Sequence, residues 1–359
     1  MRTSVPTAPR VAFVCLVTIG VLTSCHAAQL PSADAARRPT KADRLSDISR
    51  AKIWAPTNVA AMDIRTGPNG KGAFEPFARV SCDYVDKKMS GASPKFACAL
   101  DEKDEVKIKY GAHNQEVYAE VASSRLLWAL GFGADSWYPV SVTCHRCPDD
   151  PHRDHRPTER DVTFEIAALE RPAPGHKIET REDEGWSWAD LDLVKEVGGG
   201  APVEQRDALK LLAVFLQHTD NKDQQQRLVC LDGGHVEPCP SPFMYLHDVG
   251  LTFGKASLLN RSGASSANFD NWTKAGIWAD RDKCIGNLPR SLSGSLNDPV
   301  IHEAGRKFLA DLLDDLSDAQ LRDLFEVARF PQYSGVSVDR WVALFKSKRD
   351  EIANTTCRN

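Results

Sequence analysis

The spacing of apolar residues divides the chain into two textures. From Ala78 to Glu170 the pattern is dominated by short runs: "ARVSCDYVDKK", "PKFACALD", "EVKIKYG", "WYPVSVTC" and "VTFEIAALE" each read as a strand bounded by turn residues. A turn containing "SGAS" joins the first two, and the first three runs predict one antiparallel sheet. Between the third and fourth runs the period changes. In "NQEVYAEVASSRLLWALGFG", Val117, Val121, Leu127 and Trp128 recur at helical spacing, with Asn114 as the cap and Gly131 as the stop. Five strands and one helix predict a small α+β lobe.

Beyond Pro172 the period is mainly helical. "RDALKLLAVFLQH" predicts a helix, "RLVCLDG" and "FMYLHDVG" predict strands, and the tail from "EAGRKFLADLLDDL" onward predicts mostly helix. In "LSDAQLRDLFEVARF", Ser317 and Gln320 form a capping-box pattern, followed by an apolar stripe of Leu321, Leu324, Phe325 and Ala328. There is no internal repeat. From His26 to about Arg50, Ala, Arg, Asp, Ser and Pro predominate without apolar periodicity, as in a tether. The expected layout is residues 1–25 as a signal segment, 26–71 as tether and lead-in, 72–172 as a smaller lobe and 173–359 as a larger helical lobe.

The N-terminus refines this picture. Arg2 and Arg10 flank the apolar run "VAFVCLVTIGVL", which is too short to span a membrane, and "LTSC" follows. That tetrapeptide resembles a bacterial lipobox, in which Cys25 would be lipidated. A lipid-anchored envelope protein is therefore expected, with cleavage after Ala27 or Ala28 and a secreted or periplasmic product as the alternative. Export changes the reading of the cysteines. Of 10 cysteines, setting aside Cys15 and Cys25 leaves eight, an even number suited to disulfides in an oxidising compartment. Sequence proximity suggests Cys82 with Cys98, Cys144 with Cys147, Cys230 with Cys239, and Cys284 with Cys357. A formal charge of -4 offers no broad surface for nucleic acid, and membrane contact is expected only through the N-terminal lipid.

The candidate chemistry begins at "HTDNKDQQQ", His218 to Gln226. Protein-kinase catalytic loops place a base Asp first, a phosphate-contacting Lys two residues later and a metal-binding Asn five residues after the Asp. Asp220, Lys222 and Gln225 occupy those places. Downstream, "LHDVGLTFG" ends a predicted strand in Asp248-Val249-Gly250, the Asp-any-Gly arrangement that presents a carboxylate to Mg²⁺ shared with phosphate. Upstream, "VKIKYG" carries Lys107 and Lys109 on one strand face, and Glu116 and Glu120 lie four apart on one helical face, either able to neutralise a strand lysine. Strand Lys, helix Glu, Asp loop and Asp-any-Gly occur in kinase order.

In these motifs the chain resembles the HipA-type, phosphatidylinositol 3-/4-kinase-like branch of the protein-kinase-like superfamily, over roughly Ser81 to Gly250. "MSGASPKFACAL" is similar to that branch's glycine-containing phosphate loop. The resemblance implies a bilobal kinase-like α+β fold, with Ser90, Gly91, Ser93 and Lys95 at the phosphates and Lys109 contacting nucleotide. It favours Glu120 as the partner of Lys109, Asp220 as the base with Lys222 beside it, and Asp248 and Gln225 at the metal. ATP and Mg would be the cofactors, and a protein or small polar molecule the acceptor. Gln225 departs from the expected Asn by one methylene, so a catalytically weak, pseudokinase-like binding lipoprotein is the alternative. Two further features compete for attention. "CHRCPDDPHRDH" spaces Cys144, Cys147, His152 and His155 as a zinc clip would, against a local disulfide, and Trp186 and Trp188 are candidates either for an acceptor groove or for packing.

Overall fold

Thr40 opens a helix where the sequence pattern predicts a tether. The computed structural model describes residues 38–232, 238–254, 266–288 and 294–358, and its first element is α1 (Lys41–Arg50), closed at the start by a capping box between Thr40 and Asp43. The helix docks through charge more than through apolar area, which is why periodicity misses it. Buried Arg44 donates to the Gly185 carbonyl at 2.6 Å, and Asp47 accepts from the Cys239 backbone at 3.1 Å, beside buried Ile48. The stretch from Thr40 to Arg50 is therefore not part of a tether. Cys25 and the expected signal segment lie outside the described residues.

The next elements are β1 (Ala78–Val85), β2 (Lys95–Asp101), β3 (Asp104–Tyr110), α2 (Gln115–Ala129), β4 (Ser136–His145) and β5 (Val162–Arg171). These five strands are the five that alternation predicts, but they are not a simple antiparallel sheet. They close into a barrel of order β1-β2-β3-β5-β4, sealed by parallel pairing of β1 with β4 from Ala78↔Val140 to Asp83↔His145. Alternation fixes which side of a strand faces inward; it does not fix the partner at each edge. Val80, Cys82, Tyr84, Phe96, Ile108, Val140 and Leu169 fill the interior.

Asn114 caps α2 as expected, accepting from the Glu116 backbone, and Gly131 follows the helix with φ +83°. The helix is buried nearly all round rather than along one stripe, because β3, β4 and β5 pack on one side and later helices on the other. Its Arg125 is fully buried and donates to the carbonyls of Ile64, Trp137 and Thr66 at 3.1, 2.8 and 3.2 Å. This clamps the lead-in chain onto the helix, and Gly67, at φ +77°, is needed because a Cβ there would lie 2.8 Å from the guanidinium carbon.

The remaining elements are β6 (His176–Lys177), α3 (Val203–Leu216), β7 (Gln226–Cys230), β8 (Pro242–Leu246), α4 (Phe269–Lys274), β9 (Trp278–Asp280), β10 (Ile285–Gly286), α5 (Glu303–Asp314), α6 (Asp318–Val327), α7 (Phe330–Ser334) and α8 (Val338–Ala353). Strands β6, β7 and β8 form a small antiparallel sheet. The Ser317–Gln320 capping box is present, and Leu321, Leu324, Phe325 and Ala328 are all buried. A second, larger core joins α2 and the lead-in residues Ile48, Ile53 and Ile64 to these helices. The fold is thus mixed α+β. Among the described residues no helix is long and apolar enough to cross a membrane.

All four expected cysteine pairs are bonded: Cys82–Cys98, Cys144–Cys147, Cys230–Cys239 and Cys284–Cys357. With Cys144 and Cys147 oxidised to each other, no thiolate remains for a zinc clip with His152 and His155. Four disulfides point to an oxidising, extracytoplasmic setting. Titration of the unfolded, unreduced protein is expected to find none of these eight thiols. The Cys284–Cys357 bridge closes the longest loop, a separation of 73 residues. Replacing both cysteines by serine is expected to lower the unfolding free energy in urea by about 4 kcal/mol, from the chain entropy such a loop regains.

Candidate active site

Strand β3 and helix α2 meet at Lys109. Alternation along β3 puts Lys107 and Lys109 on one face, and their neighbours separate them. The fully buried Lys109 Nζ lies 2.6 Å from Glu116 Oε2, 2.5 Å from Glu120 Oε1 and 3.4 Å from Asp248 Oδ1. Lys107 instead pairs with Glu170 at 2.7 Å. Both helix glutamates therefore share the strand lysine, where sequence reasoning favours Glu120 alone. Glu120 does more than neutralise: its Oε2 accepts the Val249 backbone N–H at 3.1 Å, so one side chain joins β3, α2 and the segment after β8.

Burial alone would neutralise these groups. For Lys109 it opposes the charge, but Asp248, Glu116 and Glu120 outweigh it and hold the ammonium well above its ordinary range. Burial pushes Glu120 well up, the Lys109 charge notwithstanding. Asp248 is also pushed up by burial, yet Lys109 and then Lys107 hold it well below the usual carboxylate range. Burial and the lysine charges thus drive the two carboxylates in opposite directions. Gly250 follows where the backbone passes close to α2, since a Cβ there would lie 2.9 Å from both Glu120 Oε1 and Glu116 Cγ.

The phosphate-loop candidate lies over the same cluster. Lys95 sits opposite Lys109 in the β2–β3 register, and its pKa is lowered by burial and then by the Lys109 charge. Gly91 has φ +93°, and a Cβ on it would lie 2.8 Å from Lys95 Nζ. Ser90 and Gly91 are exposed. Ser93 has another occupation: it is buried and donates to Asn114 Oδ1 at 3.2 Å, fastening the loop to the helix cap.

After α3 the chain turns through Gln217 at φ +55° into the loop of His218 to Gln226. Asp220 Oδ2 accepts from Gln225 Nε2 at 2.9 Å and lies 3.4 Å from Lys222 Nζ. The Gln225 carbonyl accepts the backbone N–H groups of His247 at 2.8 Å and Asp248 at 3.2 Å. Gln225 is therefore the bridge between the two aspartates: its side chain holds one and its main chain positions the other. Buried Asn221 locks the loop by donating to the His218 carbonyl at 3.1 Å and accepting from the Leu296 N–H at 3.2 Å. Gly185 lies against this backbone, where a Cβ would come within 2.0 Å of the Asp223 carbonyl.

Sequence reasoning misses Asn221 and Gly185, whose signals are a polar residue in a polar loop and one glycine among many. It also misses a second buried cluster beside the first. His247 Nδ1 is hydrogen-bonded to Asp135, Ala173 N–H donates to Asp135 at 2.6 Å, and Glu170 completes the group. Burial lowers the His247 pKa to about 4 and raises that of Asp135 to about 6. This network anchors the residue preceding Asp248. The Trp186 and Trp188 candidates are packing residues: both are buried, and Trp186 donates to the Tyr245 carbonyl at 3.2 Å.

No family model matches the chain, and no curated protein matches it. Among solved structures, a crystal structure of the Helicobacter pylori proinflammatory kinase CtkA aligns with a TM-score of 0.39 and 11% identity, covering 78% of this chain and 95% of that chain.

Two stability experiments follow. Lys109→Met strands buried carboxylates and is expected to cost about 3–5 kcal/mol in urea unfolding, partly recovered in Lys109→Met/Glu120→Gln because both charges then leave together. His218 is buried, neither ring nitrogen has a hydrogen-bond partner among the described residues, and burial lowers its pKa to about 4. The unfolded imidazole titrates near about 6.5. Its contribution to stability is therefore complete above that pH and is lost as pH falls towards and through the folded value, by up to about 3 kcal/mol. Unfolding measured at pH 7 and pH 4.5 should show a smaller acid loss for His218→Leu than for wild type.

Proposed function

We propose that this chain is an envelope-exposed, kinase-like phosphotransferase that uses ATP and Mg to modify a protein or small polar acceptor. The observation that carries the reading is the convergence of Lys109, Glu120, Asp248, Gln225 and Asp220, drawn from β3, α2 and the two segments that flank the β7–β8 hairpin. The separate barrel core and helical core support a bilobal layout with the site between them. Lipidation at Cys25 would tether the fold to a membrane, consistent with its disulfides.

The residues present fit the cofactors. Glu116, Glu120 and Asp248 bring oxygen ligands within 4.8 Å of one another, and three carboxylates around one ammonium leave a surplus of negative charge suited to a hard dication. Asp248 and Gln225 would hold the metal, and Lys109 and Lys95, with Ser90 and Gly91 above them, would receive the phosphates. Bound Mg supplies charge neutralisation of the phosphate oxygens. Asp220 would orient the acceptor hydroxyl and take its proton, and Lys222, 3.4 Å from it, would offset charge on the group in transfer. A second reading, a binding module with little or no catalysis, is favoured by one observation: the Gln225 amide is engaged with Asp220 at 2.9 Å.

Calorimetry with ATP, with and without Mg, tests the first requirement: binding is expected to be metal-dependent, and its absence would end the enzyme reading. Asp220→Asn is expected to lose about 10²–10⁴-fold in turnover with nucleotide affinity nearly intact. Asp248→Ala should weaken Mg-dependent nucleotide binding itself. A wild-type protein that binds nucleotide but transfers nothing belongs to the second reading.

A further inference from the structure

The outer face of the barrel along β1 and β4, apart from the Lys109 cluster on β3, carries a constellation that the phosphotransferase reading does not use. Ser81 points outward from β1, and its Oγ lies 2.6 Å from His145 Nε2 at the end of β4. The other ring nitrogen, Nδ1, lies 2.9 Å from Asp161 Oδ2. A hydroxyl on one imidazole nitrogen and a carboxylate on the other is the arrangement that turns a serine into a nucleophile. We infer that Ser81, His145 and Asp161 form a second site, an activated serine that accepts acyl groups from esters.

The arrangement is braced. Parallel pairing of β1 with β4 sets Ser81 beside Thr143 and Asp83 beside His145. One residue along from His145, Cys144 is bonded to Cys147, and the Cys147 N–H donates to the Arg160 carbonyl at 2.9 Å. Thr158 Oγ1 donates to the Cys147 carbonyl at 2.7 Å. The neck of the insert from Arg146 to Asp161 is thereby closed, and Asp161 is delivered to His145. On the other side, Cys82–Cys98 ties the residue after Ser81 to β2.

In the reaction, Ser81 Oγ attacks the ester carbonyl while its proton passes to His145 Nε2. The C–O bond to the alcohol breaks, and the alcohol leaves with the proton from His145. Water then releases the acid from Ser81 by the same route, so atoms and charge balance without a further reactant. Asp161 is a positioning residue that fixes the imidazole tautomer. The Thr143 hydroxyl, on the register partner of Ser81 and 3.3 Å from Thr163 Oγ1, is the side-chain donor assigned to the developing oxyanion. Asp161 and Ser81 are exposed and the His145 side chain is 40% accessible, so the substrate class is open: unhindered esters, with aryl esters the most reactive.

The test uses the full chain with p-nitrophenyl acetate and a fluorophosphonate probe, reading modified residues by peptide mass spectrometry. Ser81 is expected to be labelled at least about 10²-fold faster than any other serine, with His145→Gln lowering that rate about 10²-fold or more. Asp161→Asn is expected to slow it about 10-fold or more, with Asp161→Glu restoring most of the loss. Unfolding temperatures of these surface variants should match wild type, separating lost chemistry from lost fold. Label confined to lysines or other serines, or a Ser81 rate unchanged by His145→Gln, would overturn the proposal.

Discussion

The structure is organised around a charge that has no reason to be buried except its partners. Lys109 is fully enclosed, and an ammonium taken from water without compensation costs several kcal/mol even after relaxation. The compensation comes from three directions at once: Glu116 and Glu120 on α2, and Asp248 beyond β8. None of these elements can shift without stranding a charge. The ion cluster therefore sets the position of α2 against the barrel, and through the bond from Val249 N–H to Glu120 it sets the segment that carries Asp248. Because net stability is small against such terms, this arrangement selects one packing more than it adds stability.

A second constraint transmits that order to the loop of Asp220. Gln225 holds the Asp220 carboxylate with its amide and the His247 and Asp248 backbones with its carbonyl. Asn221 and Gln226 fix the rest of the loop, the latter donating to the Asn221 carbonyl at 3.0 Å. The two aspartates are thus linked through a single residue. The extra methylene of glutamine matters here because it lets the amide reach across to Asp220 while the main chain stays fastened to Asp248.

Much of this was legible in the sequence, for reasons that differ by residue. The five strands follow from alternation, and α2 from its cap and stop, because those signals are local. The pairing of Lys109 with α2 was legible from order and spacing, though its division between Glu116 and Glu120 was not, since residues four apart on a helix present the same face. Barrel closure through β1 and β4 was hidden because pairing is non-local. Helix α1 was hidden because Arg44 and Asp47, which look like solvated charges, are the groups that dock it. Asp135 was hidden because only burial beside His247 gives it a role, and burial cannot be read from a lone aspartate after a glycine and an alanine.

Two of the disulfides brace the barrel from within. A cytosolic fold of this size can hold strand register by packing alone, but here Cys82–Cys98 and Cys144–Cys147 lie inside the barrel core, among Phe96, Ile108 and Val142. They brace β1 and the end of β4 against their neighbours. Lys95 and Lys109 alternate with the interior residues Phe96 and Ile108, so they stand on the outside of the barrel, where β2 and β3 give them a stiff support facing α2 and Asp248. Ser81 and His145 also face outward, but on the paired strands β1 and β4, apart from the charge cluster on β3. Each site has one strand held by a neighbouring disulfide: β2 under Lys95 is tied to β1 by Cys82–Cys98, and the end of β4 that carries His145 is closed by Cys144–Cys147.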